Sequence, residues 1–63
     1  MNGIYVLKNP ITINLNGLCY IVNGYRLIQD KRYADAEVIK GRARYGLRDD
    51  SWGIREKLGR MIF

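Results

Sequence analysis

Residues 11–27, ITINLNGLCYIVNGYRL, decide how this chain is read, because two Asn-Gly pairs divide an apolar run into three short segments. Asn-Gly is the dipeptide favoured by a two-residue type I′ hairpin turn, whose central positions both take φ > 0, a region that Asn and Gly tolerate best. With Asn16-Gly17 as one turn, Leu15 faces Leu18, Ile13 faces Tyr20 and Ile11 faces Val22, so one face of the ribbon is wholly apolar. With Asn23-Gly24 as the next turn, Val22 faces Tyr25 and Tyr20 faces Leu27, on that same side. Both turns therefore predict one register, and a slip of one residue in either hairpin would turn the apolar set toward water.

Toward the N-terminus, residues 3–7, GIYVL, read as a further strand, with Lys8, Asn9 and Pro10 as the loop into Ile11. A three-residue loop pairs Leu7 with Ile11 and Tyr5 with Ile13, and Pro10 then stands before a strand, where its missing N–H does no harm. The expected sheet is an antiparallel meander of three to four strands over residues 1–28. Its second face carries Ile4, Val6, Cys19, Ile21 and Ile28 among Thr12, Asn14 and Arg26, more apolar than an antiparallel sheet usually shows to water. Ile4, Val6, Ile21 and Ile28 are the expected contact with a partner or a second copy; the plainer explanation is scattered exposed apolar residues.

Toward the C-terminus the period changes. Arg32, Ala36, Ile39 and Ala43 share a side at helical spacing, Asp30 or Asp35 can cap, and Gly46 stands where a C′ glycine ends a helix, so residues 30–45 are predicted helical. Gly41 inside that helix costs about 1 kcal/mol relative to alanine. A second helix is predicted over 51–61, capped by Asp50 or Ser51. It would bury Ile54, Leu58, Met61 and Ile62, carry an i,i+4 pair of Glu56 with Arg60, and hold Trp52 in the core or as a lid over its edge. The predicted fold class is α+β, ββββαα, in a single domain of residues 1–63 with the meander in 1–28 and both helices in 30–63.

Sixty-three residues make a marginal core, which a disulfide, a metal or a partner chain commonly supplements. Cys19 is the only cysteine and histidine is absent, so neither a disulfide nor a zinc site is expected, and a homodimer is. Catalysis is not expected either. The usual neutral-pH base is missing, and Asp49 and Asp50 diverge at a helix start. Asp35 and Glu37, two apart on the predicted helix, do not share a face, and Cys19 has no adjacent activator. No glycine-rich phosphate loop is present, and no cofactor is expected. No apolar run approaches the roughly 18 residues of a membrane span and no signal leader is visible, so the chain reads as soluble and cytoplasmic.

A formal net charge of +5 points to an acidic partner: nucleic acid first, then an anionic membrane surface or an acidic protein surface, with solubility alone as the plain explanation. The excess is densest in residues 40–48, where Lys40, Arg42, Arg44 and Arg48 stand with no acid among them and Tyr45 between. On a helix Lys40 and Arg44 would share a face, a combination suited to phosphate contacts with one or two base contacts.

Within this segment Ile39, Arg42 and Gly46 give I-x-x-R-x-x-x-G, in IKGRARYG, ahead of a short helix containing Trp52, Ile54 and Leu58. Over residues 39–58 the pattern resembles the end of the small helix-turn-helix modules that accompany phage and intron-encoded homing endonucleases. The resemblance implies that the helix ending at Gly46 enters a DNA groove with Arg42 as a contact. The function expected is that of a small phage- or mobile-element-type accessory protein that binds nucleic acid through a basic helix, as a regulator. The alternative is a small interaction protein that binds and inhibits a host or partner protein. Membrane-surface binding is the weakest option, since no basic helix carries large apolar residues on its other side.

Overall fold

The computed structural model describes residues 3–63. Four antiparallel strands, β1 (Gly3–Leu15), β2 (Leu18–Ile28), β3 (Lys31–Lys40) and β4 (Ala43–Gly46), lie side by side in chain order and are followed by one helix, α1 (Trp52–Ile62). The expected ββββαα arrangement is thus corrected to ββββα: the segment read as a first helix is β3, a turn and β4.

At Asn16-Gly17 the backbone is that of the expected turn, with φ of 52° and 77°. Leu15 faces Leu18, Ile13 faces Tyr20 and Ile11 faces Val22. Asn23-Gly24 is a correction. Neither residue takes positive φ, β2 runs straight through, and Asn23 is the extra residue of a bulge between Val22 and Gly24 against β3. The chain reverses instead at Gln29 and Asp30, with φ of 48° and 65°. One inserted residue shifts side-chain parity once, so Tyr25 and Leu27 still lie on the side of Tyr20 and Val22, as the missing turn would have placed them.

The loop expected at Lys8, Asn9 and Pro10 is a second correction. Residues 3–6 and 11–15 both pair with β2, with a register shift between Val6 and Ile11, so Tyr5 faces Tyr25 rather than Ile13. None of residues 7–10 takes the positive φ that a short hairpin loop needs. Pro10 sits instead in an irregularity of an edge strand, where a missing N–H is tolerated.

Residues 31–40 are a strand because their burial has period two. Ala34, Ala36 and Val38 are buried, while Tyr33, Asp35, Glu37 and Ile39 between them are half-exposed. Alanine favours a helix locally, but pairing with β2 sets Ala36 opposite Val22 and Val38 opposite Tyr20, and that long-range burial outweighs propensity. The supposed helical stripe is split, with Ile39 on the face opposite Ala36. Gly41, at φ 62°, begins the two-residue turn into β4, and Gly46 ends β4 rather than a helix.

The core consists of Tyr20, Val22, Ala34, Ala36, Val38 and Leu58, with Leu7, Leu15, Leu47, Ile54 and Ile62 among the residues packed around it. Ser51 stands at the N-cap; its hydroxyl donates to the Arg48 carbonyl and accepts from Arg55 Nε at 3.1 Å. Ile54, Leu58 and Ile62 form the inward stripe. Met61, expected to be buried with them, is 56% exposed because an i, i+4, i+8 row leaves it on the flank.

Helix α1 lies along β3 where β4 stops: β4 pairs only with residues 37–40, and the helix covers the rest of an edge that would otherwise be open. The approach is close enough that a Cβ on Gly59 would overlap the Arg32 carbonyl. Trp52 closes this flank as a lid, edge-on to Tyr33 at 5.3 Å with the Arg55 guanidinium 5.2 Å from its ring. At the far end Phe63 meets Tyr25, which stacks on Tyr5 at 4.8 Å. No helix among the described residues is long and apolar enough to cross a membrane.

Candidate nucleic-acid interface

The β3–β4 hairpin distributes its cations by strand pairing. Lys40 faces Ala43, Ile39 faces Arg44 and Val38 faces Tyr45. Residues opposite one another share a face, so Lys40 and Tyr45 lie on the helix side of the sheet and Arg44 lies on the other. This corrects the expectation that Lys40 and Arg44 share a helix face. Arg42 sits in the turn and Arg48 follows β4. The helix implied by the resemblance for IKGRARYG is this hairpin.

All four of these cations are exposed, and none is in an ion pair among the described residues. Lys40 Nζ stands 5.9 Å from the centre of the Tyr45 ring. Among the described residues, four of the other seven cations are in ion pairs, while Lys8, Arg32 and Lys57 are not and stand apart from one another in the chain. Asp35 receives both Arg26 and Arg55 at 3.0 Å; Glu56 receives Arg60 at 3.0 Å and Lys31 at 3.8 Å. Glu37 accepts from the Asn23 amide at 3.2 Å. The uncompensated positive charge therefore collects at the hairpin, with Asp49 and Asp50 as its nearest acids in the chain.

Beside it, on the helix side, lies an open groove of about 700 Å³. Leu18, Tyr20, Val38 and Ile54 make its apolar part, while Lys40, Tyr45, Arg48, Asp50 and Ser51 contribute the polar and aromatic part. It exists because α1 begins only at Trp52 and runs away toward Arg32, leaving the end of the sheet at Leu18 uncovered. Sequence reasoning missed the groove. Its one local signal is Leu18, which follows the first turn on the apolar face and is 39% exposed.

On the opposite sheet face Ile4 pairs with Arg26, Val6 with Gly24 and Thr12 with Ile21, so Ile4, Val6, Ile21 and Ile28 share one surface. Ile4 and Val6 are 71% and 83% exposed, whereas Ile21 and Ile28 are half-buried. Cys19 is a free, half-buried thiol between Asn14 and Ile39. No group of three or more metal-ligating side chains occurs among the described residues.

The chain matches no protein-family model, no curated protein and no solved structure.

Proposed function

We propose that this protein binds nucleic acid through the β3–β4 hairpin and the segment that follows it. Lys40, Arg42 and Arg48 are the phosphate contacts, and Arg44 adds charge from the opposite face. The supporting observation is clustering: these four exposed cations fall within nine positions and form no ion pair among the described residues, whereas the other unpaired cations, Lys8, Arg32 and Lys57, are scattered along the chain. Unpaired surface cations are what a phosphate backbone recruits, since each contact releases condensed counterion. The role proposed is that of an accessory or regulatory binder.

Affinity should fall with salt by a log–log slope of about −0.9 per contact on duplex DNA and about −0.7 on a single strand. Changing Lys40, Arg42, Arg44 and Arg48 together to Gln should flatten the duplex slope by about 2.7 in a monomer, about 0.9 for each of the three phosphate contacts. Stability should hardly change, because the side chains are exposed. Absence of binding to duplex or single-stranded DNA or RNA at about 50 mM salt would reject the proposal. A slope that survives the quadruple substitution would move the contact elsewhere on the molecule.

A second reading, an interaction protein, is favoured by the exposure of Val6 and Ile4 beside Ile21 and Ile28 on an uncovered sheet face. Its simplest occupant is a second copy, because a core of this size gains most from further burial. Sedimentation equilibrium at micromolar concentration should give twice the 7.3 kDa chain mass, and Val6→Glu should return it to one. A wild-type protein that sediments only as the monomer removes this contact.

A further inference from the structure

We infer that the groove beside the hairpin accepts an unpaired base, so that the ligand is single-stranded rather than duplex nucleic acid; this rests on the nucleic-acid reading above and narrows it. Two independent observations lead there. The first concerns shape. A duplex major groove, about 12 Å wide, admits a helix or a two-stranded ribbon. Here β3 is paired to β2 as far as Cys19 opposite Ile39 and to β4 as far as Lys40 opposite Ala43, so the turn at Gly41 and Arg42 ends level with the sheet. Four strands at about 4.8 Å spacing span about 14 Å before side chains are added, which is too broad an end to enter that groove.

The second observation is the chemistry of the groove. An unpaired base offers apolar faces and a polar edge, tied to a phosphate. The groove offers Leu18, 39% exposed, over a floor closed by the buried Tyr20 and Val38, with Lys40, Tyr45 and Arg48 beside it. Tyr45 is 52% exposed, an aromatic ring presented next to two cations, which is the combination that single-strand binders use to stack a base and hold its backbone. Asp50 is the only carboxylate in the lining, so the cations prevail. At about 700 Å³ the open groove has room for a base. A base stacked on Tyr45 places its phosphates toward Lys40 and Arg48, with Arg42 in the adjoining turn. Arg44, on the other face, contributes less.

Fluorescence anisotropy with one labelled DNA strand in three forms tests this: single-stranded, annealed to its complement, and carrying abasic sites through its centre. The intact single strand should bind roughly tenfold tighter than the duplex, the worth of one stacked base. The abasic strand, which keeps every phosphate, should bind about 5- to 150-fold more weakly. Tyr45→Ala should lose as much on the intact strand, and Tyr45→Trp should restore it. The abasic comparison uses the wild-type protein, so no folding defect enters it. Equal or tighter duplex binding, or an abasic strand that binds like the intact one, overturns the inference. If the quadruple Gln variant loses binding while neither abasic sites nor Tyr45→Ala has an effect, the base site fails and the electrostatic contact stands. No binding in any form removes both.

Discussion

Asn16-Gly17 and Asn23-Gly24 are the same dipeptide in one chain, and they sit in opposite kinds of backbone. The first is an exposed turn: both residues take positive φ, and a Cβ on Gly17 would meet nothing within 4 Å. The second lies inside β2, with no positive φ; Gly24 is buried, and a Cβ there would run into the Tyr5 carbonyl oxygen of β1. Glycine is needed at position 17 for its conformation and at position 24 for its size. The Asn side chains differ as well, for Asn23 uses its amide to reach Glu37 across the sheet at 3.2 Å. A dipeptide that permits a tight turn does not compel one. Where flanking strands can extend and pair on both sides, the ladder continues through it and the surplus residue is taken up as a bulge.

The larger expected effect tests the second pair. Gly24→Ala leaves φ acceptable but inserts a methyl where the Tyr5 carbonyl stands, so β1 and β2 must separate locally. Urea unfolding should show a loss of about 2 to 3 kcal/mol, in the range of overpacked sites. A chain of this length would then melt more than 8 °C lower. An unchanged midpoint would mean that β1 does not pass so close and that the bulge is misplaced.

The smaller effect tests the first pair. Gly17→Val puts a β-branched residue at φ near 77°, with room for the side chain but not for the conformation, and should cost between about 1 and 2 kcal/mol. Should Gly17→Val prove the more damaging of the two, the contrast between conformation and space would be reversed. Should neither matter, the sheet does not depend on either glycine.

Parts of this architecture are legible locally and parts are not. The pairing of Leu15 with Leu18 through Ile11 with Val22 follows from adjacent residues and a turn of two, so it needs no distant information. The same holds for the last helix, where Ser51 and the row Ile54, Leu58 and Ile62 mark the start and the inward side. The hairpin of residues 31–46 is different. Its alanines and charged residues satisfy a helical stripe and a strand alternation about equally, and glycines at 41 and 46 suit a turn as well as a helix end. The misreading moved the basic residues onto a surface they do not have: Tyr45 joins Lys40, and Arg44 leaves it.

By itself, then, the sequence determined the first hairpin with its apolar register, the closing helix and the concentration of positive charge in residues 40–48. Each is set by neighbours within a few positions, through allowed φ, side-chain period or simple count. Tertiary structure decided whether residues 31–40 are helix or strand, that Asn23-Gly24 is a bulge, and which cations share a face. These depend on β2 offering Tyr20 and Val22 as partners, on Tyr5 passing beside Gly24 and on α1 lying along β3. The groove is the clearest case. It belongs to no segment of the chain, and it arises because the helix starts too late to cover Leu18.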